Sequence, residues 1–241
     1  MNYVIIIAGG VGSRLGAKVP KQFVEVLGKP IIAYTMEHFQ NHPDIDAIEL
    51  VCVDGYQKHL KEITEKYGIT KLLKIVKGGL EYERSIMNGV AGLEGIAKPK
   101  DVVMIHWAAS PFLSEELITD NIRVCKEKGN AITASYSYLL YGSNDGDCAK
   151  QALNRDSFMT LSTPQSLWYE SIVNLYKQVE KKNLFEIVKE HHTTVFMAEL
   201  GIPLYFSKGS HTNIKITTKE DIELFLGYLL AKKYREEHSE E

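Results

Sequence analysis

Arg14 and Lys21 are two cations set in one glycine-rich stretch, Ala8-Gly9-Gly10-Val11-Gly12-Ser13-Arg14-Leu15-Gly16, which Pro20-Lys21-Gln22 closes. The stretch follows an apolar run, Tyr3-Val4-Ile5-Ile6-Ile7, that reads as a buried parallel strand. Glycines at the carboxyl end of a first strand let backbone approach a phosphate, and unpaired N–H groups there bind its oxygens. Bare amides plus two positive charges suit a nucleoside triphosphate. The loop is not a P-loop, because no Gly-Lys-Ser/Thr ends it. It is not a dinucleotide fingerprint either, since Leu15 stands at the last glycine position and a proline follows where a helix should run. A tight turn carrying solvated basic residues is the plain alternative.

The elements that must hold this loop follow from the rest of the chain. Its 241 residues are enough for one large domain with a substantial core. A net charge of −3 gives no electrostatic case for nucleic acid or an anionic membrane. Cys52, Cys125 and Cys148 fit no zinc spacing and leave at least one thiol unpaired, which suits a reduced, cytoplasmic setting. The amino-terminal apolar run is too short for a signal peptide, and no segment has the length of a membrane span.

Strands are expected at Ile48–Val53, Leu72–Val76, Asp101–His106 and Ala131–Tyr138. Helices are expected between them at Ile31–Phe39, Gln57–Tyr67, Glu83–Leu93 and Glu115–Lys128, the last capped by Ser114. This alternation predicts an α/β fold: a Rossmann-like, mostly parallel twisted sheet with helices on both faces. Ligands bind such sheets at the carboxyl ends of the strands. Residues 137–160, dense in turn formers, read as a hairpin arm leaving a single domain, with an irregular surface loop as the alternative. Helices resume at Leu167–Lys181 and Lys219–Glu237, the second capped by Thr218.

Four more segments fall at that ligand edge: Gly78-Gly79 with Ser85 and Asn88; His106-Trp107-Ala108-Ala109-Ser110-Pro111; Thr163-Pro164-Gln165; and Asn213-Ile214-Lys215-Ile216-Thr217. With Ala-Gly-Gly-x-Gly-x-Arg and Pro-Lys-Gln, they resemble the cytidylyltransferases that make CDP-polyols. That group includes the methylerythritol phosphate enzyme of isoprenoid synthesis and the ribitol 5-phosphate enzyme of surface-polymer synthesis. The resemblance runs from Ile5 to about Leu226.

The resemblance implies CTP-dependent transfer of a cytidylyl group to a phosphorylated small molecule, with magnesium accompanying CTP. It gives Arg14, Lys21 and Lys215 the catalytic charges. Ala8, Gly9, Gly10, Gly12, Gly79 and Ser85 would meet the nucleotide, and Arg155, Thr163 and Ser110 the acceptor. It also implies a homodimer built through the arm, with Leu139, Leu140 and Tyr141 covered. Bland roles compete: Lys215 as a solvated lysine, Ser85 as a helix-terminal serine, Arg155 as a turn residue, His106 as a core histidine. His191-His192 reads as a chance pair, because neighbouring residues point apart on a helix.

The family reads His-Asp-Ala-Ala-Arg-Pro where this chain has Trp107 and Ser110 in place of the acid and the arginine. Indole offers no oxygen to a hard cation, and a hydroxyl lacks the charge and fork of a guanidinium. No residue of this chain is therefore assigned as a metal ligand. Tyr82 replaces an arginine, Thr212 an acid, Leu80 another acid, and His191-His192 a Thr-Asp pair. The departures gather on the metal and acceptor side. A remodelled acceptor pocket, a slow version of the usual enzyme, and a non-catalytic nucleotide-binding paralogue all remain consistent with them.

Overall fold

The structure, a computed structural model, describes residues 1–10, 16 and 19–238. Along the chain come β1 (Asn2–Ala8), a ribbon of β2 (Glu25–Val26) and β3 (Lys29–Pro30), α1 (Ile31–Asn41), β4 (Ala47–Cys52), α2 (Gln57–Lys66) and β5 (Leu72–Lys77). Next are α3 (Tyr82–Gly92), β6 (Val102–Trp107), α4 (Glu115–Lys128), β7 (Asn130–Tyr136), β8 (Tyr141–Gly142), β9 (Ala152–Leu153) and β10 (Met159–Trp168). The remainder is α5 (Tyr169–Lys181), α6 (Leu184–Ile187), α7 (Thr193–Glu199), β11 (Phe206–Lys208) and α8 (Lys219–Glu237).

Among the described residues the central sheet has seven strands in the order β11-β7-β10-β6-β1-β4-β5. Only β10 runs antiparallel to its neighbours. The fold is therefore the mixed α/β, mostly parallel sheet that the alternation of elements implies. The interior strand β1, between β6 and β4, is buried along its whole length. Successive side chains of a strand point to opposite faces, and β1 divides accordingly. Val4 and Ile6 pack with Met36 and Phe39 of α1, Leu60 of α2 and Ile118 of α4. Tyr3, Ile5 and Ile7 pack with Ile86 of α3, Ile172 and Leu175 of α5, and Phe196 of α7. Each fully covered aliphatic side chain contributes about 1.5–3 kcal/mol relative to exposure.

Local signals set several boundaries. Ser114 Oγ accepts from Leu117 N at 3.3 Å, and Gly129 ends α4 at φ 92°, where a Cβ is unfavourable. Thr218 and Asp221 form a reciprocal capping box on α8. Within the arm, Tyr141 pairs with Leu153 and Gly142 with Ala152.

Several elements go beyond expectation, β10 foremost. The stretch read as helix from Leu167 is still strand at Leu167 and Trp168, and α5 begins at Tyr169. β10 lies between β6 and β7 although much of it is polar. Several of its polar groups have partners: Ser166 Oγ donates to Asn121 Oδ1 at 2.5 Å, and the Pro164 carbonyl accepts from Thr133 Oγ1 at 2.6 Å. The ladder shifts register between Ser162 and Gln165, around a proline with no N–H to give it.

Candidate nucleotide site

A cleft of about 360 Å³ opens at the carboxyl edge of the sheet. Gly9 and Gly10 reach it from the end of β1, Gly79 to Glu81 from the β5–α3 loop, Tyr82 from the start of α3, and Trp107 to Ala109 from the end of β6. His192 enters from just before α7, and Lys215 and Thr217 from just before α8. A smaller cleft of about 240 Å³ between α1 and α8 holds none of the residues assigned to catalysis, nucleotide or acceptor.

Gln22 shapes the first loop. Its Nε2 donates to the carbonyls of Ala8 at 2.8 Å and Gly10 at 3.1 Å, which fixes the path of the glycines. Lys21 beside it donates from Nζ to the Ile216 carbonyl at 2.7 Å. Across the cleft, a Cβ on Gly79 would lie 2.4 Å from Arg84 Cβ, so only glycine lets this loop sit against the first turn of α3. Ser85 Oγ accepts from Gly79 N at 3.0 Å and donates to the Glu81 carbonyl at 3.0 Å. Ser85 thus holds the loop in shape as well as lining the cleft.

Lys215 is positioned by the residue after it. Ile216 is fully buried with Phe225 of α8 and Phe112, and its N–H donates to the Ala109 carbonyl at 2.8 Å. The Lys215 ammonium then lies 4.4 Å from the Trp107 ring centroid and 5.4 Å from that of Tyr82. The indole Nε1–H of Trp107 donates to the Tyr82 hydroxyl at 2.6 Å, and the His192 ring lies 5.2 Å from the Tyr82 ring. Burial raises the Tyr82 phenol above its ordinary value. Burial, then the Lys215 charge, lowers the His192 imidazole and favours its neutral form.

Beneath this corner sits Glu83, fully buried, with its carboxyl pushed up to about 7 by burial. It accepts from the Tyr176 hydroxyl and from Thr193 N, the latter at 2.9 Å. One carboxyl therefore joins the start of α3, which carries Tyr82, to the start of α7, which follows His192. Sequence reasoning marked Tyr82, Trp107 and His192 as separate departures; in space they meet at Lys215. The coincidence of the departures was the available signal.

Other expected residues lie elsewhere. Gly12 and Arg14 fall outside the described residues. Ser110 and Thr163 are fully covered, and their hydroxyls lack hydrogen-bond partners. The Thr163 carbonyl accepts from Asn213 Nδ2 at 2.7 Å, which ties this segment to the one bearing Lys215. Arg155 is on the arm, with its guanidinium 3.4 Å from the Tyr138 carbonyl. His106 is buried and its Nε2–H donates to the Ser110 carbonyl at 2.9 Å; burial drops its imidazole to about 3.

The described residues do not fit a protein-held divalent cation. Glu81 is the carboxylate among the residues lining the cleft, and its exposed side chain faces His191 at 3.4 Å. Among the described residues no three His, Cys, Asp or Glu side chains cluster as metal ligands. The indole of Trp107 occupies the edge where a carboxylate ligand is expected.

A mostly parallel sheet whose carboxyl edge carries a glycine-lined cleft and two lysines is the architecture of an α/β nucleotidyltransferase. The family model described as "IspD: 2-C-methyl-D-erythritol 4-phosphate cytidylyltransferase" matches residues 2–230, and the chain belongs to that family of enzymes. It is 36% identical to the ribitol-5-phosphate cytidylyltransferase of Lacticaseibacillus paracasei, over 96% of this chain and 99% of that one. It is 35% identical to the 2-C-methyl-D-erythritol 4-phosphate cytidylyltransferase of Clostridium botulinum, over 96% and 98%. The solved 4-diphosphocytidyl-2C-methyl-D-erythritol synthase of Anaerococcus prevotii superposes with a TM-score of 0.78 at 27% identity, covering 95% and 96% of the two chains.

Proposed function

We propose that this protein transfers the cytidylyl group of CTP to a polyol phosphate of the ribitol 5-phosphate or methylerythritol 4-phosphate kind. The observation that carries the reading is the meeting of Gly9, Gly10, Lys21, Gly79 and Lys215, from three distant stretches, in one cleft at the carboxyl edge of the sheet. A phosphate oxygen of the acceptor attacks the α-phosphorus; the new P–O bond forms as the bond to pyrophosphate breaks. The protein's task is positioning and charge neutralisation. Lys21 serves from the β1 side and Lys215 from the α8 side, and Arg14 joins them from the loop. Ala8 and Gly12 supply backbone beside the nucleotide. Arg155, Thr163 and Ser110 serve the acceptor.

Magnesium accompanies the CTP phosphates rather than a protein carboxylate, in keeping with Trp107. The working form is a homodimer in the cytoplasm. Support for the dimer is the apolar arm, where Tyr138, Leu139 and Leu140 are 71%, 68% and 83% exposed. Apolar clusters of that kind mark contact surfaces.

The test is pyrophosphate release from CTP with D-ribitol 5-phosphate and with 2-C-methyl-D-erythritol 4-phosphate, with and without magnesium. Release with either acceptor is expected. Trp107 also favours a second reading, a nucleotide-binding paralogue without transfer activity. CTP binding with no release from either acceptor would remove the first reading as stated, and silence across a wider panel of phosphorylated acceptors would favour the second.

A further inference from the structure

We infer that Trp107 and Tyr82 form an aromatic clamp for the Lys215 ammonium, which makes Trp107 a positioning residue; its bearing on catalysis rests on the cytidylyltransferase reading above. The hydrogen bond from Trp107 Nε1 to the Tyr82 hydroxyl, at 2.6 Å, fixes the two side chains relative to each other. Both rings then lie within cation–π range of one ammonium, at 4.4 Å and 5.4 Å. His192 packs on the outer side of Tyr82, at 5.2 Å between ring centroids. Trp107 is held from behind by its place in β6, where it pairs with Ile7 of β1.

The physical consequence concerns charge. A carboxylate at position 107 would hold the ammonium by cancelling it. Two π faces hold it without themselves neutralising it. A lysine carries a flexible four-carbon stem, and groups that stabilise a transition state act best when already in place. The clamp supplies that order without an acid. A site that has exchanged a carboxylate for an indole therefore keeps a positioned cation while giving up a metal ligand.

Tryptophan emission tests the clamp directly, because Trp107 and Trp168 are the two tryptophans of the chain. In a Trp168→Phe background, emission reports Trp107 alone. Without any ligand, Lys215→Met is expected to change both the intensity and the maximum of that emission; an unchanged spectrum overturns the clamp. Adding CTP to the Trp168→Phe protein is expected to change the emission saturably. A spectrum that responds to Lys215→Met but not to CTP keeps the clamp and counts against the nucleotide reading. Turnover of CTP with a spectrum blind to Lys215→Met removes the clamp and keeps the reaction. Two further variants give the kinetic readout. Trp107→Leu is expected to lower kcat about tenfold with a smaller change in KM for CTP, while Trp107→Phe, which keeps a π face, stays within about threefold of the parent. Equal losses in the two variants would overturn the positioning role.

Discussion

Lys21 Nζ lies 2.7 Å from the carbonyl oxygen of Ile216, a bond that joins positions 195 residues apart. The next residue back is Lys215, so the two lysines of the cleft flank a single hydrogen bond. This bond ties Lys21 to the segment before α8. Gln22, which bonds the Ala8 and Gly10 carbonyls, anchors one side, and Ile216, buried against Phe225, anchors the other. Lys21→Met removes a charge from the cleft and a donor from this joint. Its kcat/KM for cytidylyl transfer, read as pyrophosphate release, is expected to fall about 10²–10³-fold. Its thermal stability is expected to fall by only about 1 kcal/mol, the net worth of one hydrogen bond.

Glu49 offers a test of stability that leaves the cleft alone. Both of its carboxylate oxygens are buried without a hydrogen-bond partner, against Gly89 and Gly92 of α3. Burial pushes the carboxyl up to about 7 from 4.5, against an opposing pull from Lys74. A raised folded value means the proton binds the native state more tightly. The resulting stabilisation is fully present below the unfolded value and is lost as pH climbs through about 7. Glu49→Gln cannot ionise, so the melting temperature of the variant should exceed that of the parent at pH 8. The gap, up to about 3 kcal/mol, should close toward pH 5. A variant that melts below the parent at every pH would contradict this account.

Tyr176 probes the support beneath the lysine corner. Its hydroxyl donates to Glu83, and Tyr176 itself is buried in the core between α3, α5 and α7. Tyr176→Phe keeps the ring and leaves one oxygen of a buried carboxyl short of a donor. A loss of about 1–3 kcal/mol in unfolding free energy is expected by denaturant titration. Because Glu83 also accepts from Thr193 N, activity should fall as well, although Tyr176 is not among the residues that line the cleft.

The arm yields a prediction in solution. Leu140 is 83% exposed and sits beside the short β8–β9 ribbon. If a second copy covers it, Leu140→Asp places a charge in an apolar contact. Sedimentation velocity should then show a dimer for the parent and a monomer for the variant at equal concentration. Identical sedimentation of both proteins would remove the arm from the interface.

Much of this architecture was legible from local signals. A run such as Tyr3 to Ile7, short, β-branched and followed by glycines, reads as a strand covered on both faces, and Ser114 and Thr218 cap helices whose bounds agree with the sequence reading. β10 was obscure for a physical reason. Thr160, Ser162, Thr163, Gln165 and Ser166 give it no apolar alternation, and the partners that let it lie inside the sheet, Asn121 and Thr133, are remote in sequence. β11, three residues long, and α7, seven, are too short to declare a period. In the cleft, the glycines and Lys21 announce themselves because they are contiguous. The grouping of Tyr82, Trp107 and His192 around Lys215 depends on four loops and could only be seen in three dimensions.

Those four side chains come from four separate stretches, yet each leans on another. An aspartate introduced at position 107 alone would strip the Tyr82 hydroxyl of its indole donor and set an anion against the ammonium. A single exchange at position 107 therefore changes the partner of Tyr82 and the surroundings of Lys215 together. The indole and the phenol form one coupled unit, in which a change at either ring is felt at the other.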